Sequence, residues 1–374
     1  MIAAATVGMF TLTTLSAGLL LAFTPYLMRR NECFATTVPA AAHDDPALRA
    51  LKKRYAAAMV AFTIACTALS AGAGFLIVSG NETLGTVLEC IAVTAPIAAS
   101  FALMLANRRK VVALKRERGW QAQSRQTVAL AAEQDLPAAL PLAWNLLYIP
   151  LILATVGIGL ALYPSMPDML PMHADFSGNV NEYAPKSIGS AIGFPVLLEA
   201  FLAACLTFSH WSILRSKHPV DPSAPSASAL AYGLFARAQS IFLLVVGLVL
   251  SGGISILFLL SSAGFIGLGQ AGAIIVLLTI PVVLGSIALS VVYGQAGSRV
   301  FMRMQGESEL LMDDDEHWKL GIFYFNRDDA SLFLPERFGI GWTINLARPA
   351  AWAIMVGFLV LTAAFIALTM SLVA

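Results

Sequence analysis

The chain has 374 residues, of which 58% are hydrophobic and 12% charged, where a soluble domain carries about a quarter charged residues. A net charge of +1 argues against a nucleic-acid partner, which requires a clustered basic face. With a mean hydropathy of +0.77, the composition is that of a membrane protein.

Eight apolar stretches follow one another along the chain: 2–27, 56–79, 84–107, 143–163, 189–213, 238–262, 271–295 and 349–373. Each is long enough to cross a bilayer, which takes roughly 20 residues. The first has no basic residue before it, and Arg29 and Arg30 follow it. A signal peptide has the opposite charge order, so this run is expected to be a spanning helix. Segments 28–55, 108–142, 214–237 and 296–348 hold 22 of the 23 Lys and Arg. Positively charged loops stay cytoplasmic. The expected fold class is therefore an all-α polytopic protein of a bacterial cytoplasmic membrane, with about eight helices and both termini outside. It adds a small ordered extracellular loop and a small cytoplasmic β meander.

The expected organisation is as follows. Residues 1–142 form a three-helix part with basic inner loops. Residues 143–213 are a helix pair carrying the outer loop 164–188. Residues 214–237 are a Pro- and Ser-rich cytoplasmic linker, 238–295 a second helix pair, 296–348 a cytoplasmic β module and 349–374 the last helix. Segment 108–142 is read as a polar extension of the third span. Pro96, Pro150, Pro195 and Pro281 lie inside spans and are expected to kink them. The Gly-rich link 263–270 can be read as an outer loop or as partly embedded. Val87-Leu88-Glu89 and Leu197-Leu198-Glu199 echo one another, too briefly to establish a repeat.

Cys66, Cys90 and Cys205 fall in spans and Cys33 in an inner segment, so no disulfide framework is expected. No nucleophile elbow, phosphate loop or dinucleotide fingerprint occurs, and no catalytic residue is assigned. The acidic run Asp313 to Glu316 lacks calcium-loop spacing and reads as a solvated helix start. His210 and Trp211, at the inner end of the fifth span, read as interface anchors.

The outer loop 164–188 offers one imidazole, three carboxylates, two amides and one ammonium: His173, Asp168, Asp175, Glu182, Asn179, Asn181 and Lys186. Asp175 to Gly178 has turn chemistry, so the loop is expected to be an ordered cap. Glu89 and Glu199 are the charged side chains inside spans, where ionisable groups are costly and usually face a cavity. Together these suggest an outward-facing polar pocket, with Glu89 and Glu199 below and His173, Asp175 and Lys186 above. Lys186 is expected to pair with one of these acids, Glu199 among them. His173 is the best metal candidate, but no spacing completes a ligand set. No cofactor is predicted, and the metal reading stays open.

The pattern Pro-x-x-x-Pro-x-His-x-Asp-x-x-Gly from Pro167 to Gly178, followed by Asn181 and Lys186, resembles the extracellular signature of SdpI-like bacterial multi-pass membrane proteins. Ala174 departs from it, standing where an aromatic is common, and Phe176 is a candidate substitute. Residues 315–345 resemble an uncharacterised cytoplasmic module that accompanies that signature, through Trp318, Gly321, Tyr324, Asn326, Asp329, Arg337, Gly339, Gly341, Trp342 and Asn345. The C-terminal module of the protein that gives this family its name is not found here, so immunity is one reading among others; the resemblance implies a receptor or immunity-type protein. It would bind a small ligand, secreted peptide or toxin outside, at His173, Asp175, Gly178, Asn179, Asn181, Lys186, Glu89 and Glu199. It would meet a cytoplasmic regulator inside. A proton-coupled transporter using Glu89 or Glu199 is the second reading, and a membrane-embedded, metal-dependent enzyme the third and weakest. The lipid bilayer is a partner in all three.

Overall fold

The computed structural model describes residues 2–29, 31–120, 136–175, 178–218, 221, 224–304 and 313–373. Phe176, the candidate aromatic of the outer loop, and residues 121–135 of the proposed polar extension lie outside them.

Among the described residues, eight helices are long and apolar enough to cross a membrane, and they coincide with the eight apolar stretches. The long helices are α1 (Ile2–Leu27), α2 (Pro46–Val78), α3 (Glu82–Glu117), α4 (Tyr148–Leu162), α5 (Phe194–Leu214), α6 (Pro225–Ser262), α7 (Leu268–Tyr293) and α9 (Pro349–Val373), with the short α8 (Ser298–Met304) after α7. The protein is a polytopic helical membrane protein.

Several helices outrun their apolar stretches at the basic end. α2 starts ten residues before residue 56, where Asp45 caps it by accepting from the Ala47 amide at 2.8 Å and Pro46 fills the first turn. α3 continues through its basic residues to Glu117. The segment 214–237 is not a linker throughout. From Pro225 onward it is the first turns of α6, because proline suits a helix start and the Ala-rich run after it favours helix. Pro96 and Pro281 lie inside helices. Pro150 and Pro195 instead sit in the first turns of α4 and α5 and break nothing there. A single π-helical turn, Gly189–Gly193, leads into α5.

The helices form two groups. In the first, α1, α2 and α3 pack together; in the second, α4, α5 and α6 do. α7 lies against both α1 and α6, and α9 rests on α5. Small residues allow close approach in each group. A Cβ on Gly18 of α1 would lie 2.3 Å from Thr63 of α2, and one on Gly247 of α6 would lie 1.8 Å from the Tyr148 hydroxyl of α4.

Among the described residues, four short antiparallel pairs complete the fold. A tight turn after α1 joins β1 (Glu32–Cys33) to β2 (Thr36–Thr37), an element absent from the sequence expectations. β3 (Met169–Ala174) and β4 (Val180–Pro185) form the hairpin between α4 and α5. β5 (Trp318–Lys319) pairs with β6 (Phe323–Tyr324), and β7 (Phe333–Pro335) with β8 (Trp342–Ile344). The module is thus two hairpins, not one continuous meander. Its small core is Trp318, Tyr324 and Leu334. Ser216, just beyond α5, bridges to Phe333. The module and the β3–β4 hairpin therefore lie at opposite ends of α5, which defines a module face and a hairpin face.

Candidate functional site

The hairpin is built by the residues the sequence singled out. Its turn is an Asp175 device. The Asp175 carboxylate accepts the Asn179 amide at 2.8 Å and the Asn179 side chain at 3.2 Å, while Gly178 N–H donates to the Asp175 carbonyl at 2.9 Å. Gly178 takes φ +91, a conformation that favours glycine. Across the strands, His173 Nδ1 donates to Asn181 Oδ1 at 2.6 Å, which leaves Nε2 for another partner. Among the described residues no three His, Cys, Asp or Glu side chains gather closely enough to hold a metal ion.

Lys186 pairs with neither Glu89 nor Glu199. Its ammonium donates to the Met166 carbonyl at 2.7 Å and lies 4.8 Å from the Tyr163 ring centre. Met166 closes the 3-10 turn Tyr163–Ser165 that follows α4, and its carbonyl is the partner the cation finds. Lys186→Gln should therefore loosen the hairpin root by about 1.5–3 kcal/mol, the worth of a charge-assisted hydrogen bond. Faster hydrogen exchange across residues 169–185, with the helices unchanged, is the expected readout.

Beneath the hairpin lies a cavity of about 390 Å³. Met172, His173 and Asp175 roof it. Phe194, Pro195 and Leu198 of α5, Ile254, Ser255 and Phe258 of α6, the first turns of α7 and Met9 of α1 wall it. Two Met side chains give the walls adaptability. Its volume falls within the range of ordinary small-molecule sites. Its walls come from both helix groups, Met9 of α1 from the first and residues of α5 and α6 from the second. Gly272 of α7 lines the cavity, and a Cβ there would meet nothing within 4 Å.

The polar pocket expected from sequence is not assembled as such. Of its members, His173 and Asp175 line the cavity, whereas Glu89, Glu199 and Lys186 do not. Glu89 is enclosed within the first group, where Ser70 donates to Oε1 at 2.9 Å and Oε2 has no partner. Glu199 is 0% exposed within the second group, beside Thr155 of α4, and neither carboxyl oxygen has a hydrogen bond of ordinary geometry. The two acids lie on helices of different groups, which sequence position alone does not reveal.

On the opposite face the module sits astride both groups. Arg337, 2% exposed, is ringed by Glu32, Asp314 and Asp315. Thr37 Oγ1 accepts from it at 2.9 Å, and its guanidinium lies 5.1 Å from the Trp318 ring centre. Asp315 also accepts the Thr37 amide at 2.9 Å and the Lys115 ammonium at 2.6 Å, and Lys115 pairs with Asp313 as well. The run 313–316 does open a short 3-10 helix, Asp315–His317, but Asp313, Asp314 and Asp315 are half-buried and paired rather than solvated. Asp313 and Asp315 tie the module to the end of α3, Asp315 also holds the α1–α2 connection through Thr37, and Asp314 holds Arg337 and Trp318 within the module.

On the other side, Gln295 beyond α7 donates to the Glu336 and Gly341 carbonyls at 2.9 and 2.8 Å and accepts the Gly341 amide at 3.0 Å. Lys217 pairs with Asp329 at 2.7 Å, and Trp211 packs edge-on against Phe333. Trp342 lies beside Phe235 of α6. Within the module, the Asn345 side chain donates to the Asn326 carbonyl at 2.8 Å and accepts the Asn326 and Ala347 amides. Tyr324 donates to Asp329 at 2.9 Å and accepts from Asn326. His210 is not an interface anchor but is buried: Nε2 donates to the Leu140 carbonyl and Nδ1 accepts from Asn145, each at 2.8 Å.

The ion-pair knot is pH-sensitive. Burial opposes ionisation of Asp315, but the Arg337 and Lys115 charges outweigh it and hold the carboxyl at about 2. A carboxyl depressed in the folded protein stabilises it above the ordinary carboxylate value and loses that contribution as pH falls. The module should therefore loosen between pH about 4 and about 2. A Trp318 emission shift over that interval, absent in Asp315→Asn, is the expected result.

Two matches to known families cover parts of this architecture. Residues 151–198, which enclose the hairpin and the start of α5, match the Domain of unknown function (DUF1648). Residues 327–352, in the module and the start of α9, match the Family of unknown function (DUF5808). No curated protein and no solved structure matches the chain.

Proposed function

We propose that this is a receptor-type protein of a bacterial cytoplasmic membrane, with the hairpin outside and the module inside. A small ligand or secreted peptide occupies the cavity under the hairpin, and the module meets a cytoplasmic regulator. One observation carries this reading. The cavity takes its walls from both helix groups at one face, and the module is bonded to the same two groups at the other. Filling the cavity changes the spacing of the groups, and the straddling module is where that change is read. The basic loops on the module face support the orientation. The resemblance of Pro167 to Lys186 to SdpI-like proteins supports toxin immunity as the biological setting.

The coupling is testable before any ligand is identified. Gly272→Phe projects a ring into the cavity and imitates an occupant. It should alter hydrogen exchange of residues 313–346, at the far face. Identical exchange in the variant and the parent contradicts the reading.

A second reading, a proton-coupled transporter, rests on Glu199, which is fully buried with neither oxygen hydrogen-bonded. A pH-sensitive dye trapped in proteoliposomes should then report proton movement that Glu89→Gln with Glu199→Gln abolishes. Equal movement in both proteins ends it.

A further inference from the structure

We infer that the cavity takes a single-chain cationic amphiphile, its hydrocarbon part among α5, α6 and α7 and its charged head at His173 and Asp175. This deepens the receptor reading and rests on it. The walls fix the body of the ligand. Beyond His173, Asp175 and Ser255 the lining is apolar or glycine, and Ser255 already spends its hydroxyl on the Pro195 carbonyl at 3.0 Å. A polar ligand body would lose its hydration there with nothing to replace it.

The cavity also lies at membrane depth, since its α7 wall runs from Leu268 to Val276, the first turns of a spanning helix. A volume near 390 Å³ holds a small molecule and is too narrow for a helical peptide about 10–12 Å across.

The charge of the hairpin face selects the head. Asp168, Asp175 and Glu182 stand in the hairpin loop and Glu82 at the start of α3, against the one ammonium of Lys186. That ammonium is held by the Met166 carbonyl and the Tyr163 ring. Asp175 is the acid at the cavity itself. A cationic head therefore meets a complementary field at the mouth, and an anionic head a repulsive one.

The test uses the full chain in phosphatidylcholine nanodiscs, with dodecylammonium and dodecanoate as probes and empty discs as the partition blank. Dodecylammonium should bind saturably, one per chain, and dodecanoate about tenfold or more weakly, as expected for a charge-assisted contact. Gly272→Phe should abolish the saturable component without lowering thermal stability, because the ring enters open space; Gly272→Leu is the smaller alternative should Phe misfold. Equal binding of the two probes, or binding indifferent to Gly272→Phe, overturns the inference. If dodecylammonium fails to bind while Gly272→Phe still shifts exchange in the module, the ligand class alone is wrong. If it binds and the module does not respond, the site stands and the receptor reading falls.

Discussion

Arg337→Gln is expected to unseat the module from the membrane helices at a cost of about 3–5 kcal/mol, the penalty for breaking a buried ion pair from one side. The guanidinium is 2% exposed and faces Glu32, Asp314 and Asp315 together. Glutamine leaves those carboxylates close to one another with Lys115 and Arg29 as their remaining cations. Arg337→Lys should recover little, because one ammonium cannot fork between two acids as a guanidinium does. The loss should be local. Circular dichroism should keep its helical signal, while amides of residues 313–346 exchange faster and Trp318 emission shifts. Unchanged exchange across the module contradicts the role given to the knot.

Gly297→Ala should be nearly as damaging, from the other side of the module. Gly297 adopts φ +81, and a Cβ there would lie 2.3 Å from the Ala231 carbonyl oxygen of α6. The left-handed conformation alone costs about 1–2 kcal/mol for a residue with a side chain. The clash is with backbone, which cannot rotate away, so the turn itself must move. That turn carries Gln295, whose amide holds the Glu336 and Gly341 carbonyls. The expected result is a lower melting temperature with faster exchange around Gly341. A variant as stable as the parent means the turn is free to shift, and the module is less firmly held than its contacts imply.

The membrane spans were legible because lipid imposes one requirement, a long apolar run, and the chain meets it eight times. Helix ends were not, because beyond the lipid nothing forces a polar helix to stop. α2, α3 and α6 all continue through charged or Ser-rich sequence. The hairpin was legible from its own turn chemistry, since Asp175, Gly178 and Asn179 make their bonds within a few residues. Lys186 was misassigned for the opposite reason. A cation looks in sequence as though it needs an acid, whereas the backbone carbonyl of Met166 is invisible there. The knot joins Thr37 to Arg337 across 300 positions, and its acids read as solvated because their partners lie on other elements. The cavity left little mark, since its walls are ordinary apolar residues brought from five elements. The one hint was Gly269 and Gly272 at the start of α7.

Everything functional here depends on the hairpin and the module facing opposite sides of a membrane, with the hairpin outside. Cysteine accessibility tests this directly. With Cys33, Cys66, Cys90 and Cys205 replaced, Glu182→Cys and Lys319→Cys are introduced singly, both at exposed positions. In intact cells an impermeant maleimide should label position 182 at once and position 319 only after the membrane is opened. Labelling of 319 but not 182 in intact cells inverts the account, and labelling of both contradicts the two-faced architecture itself.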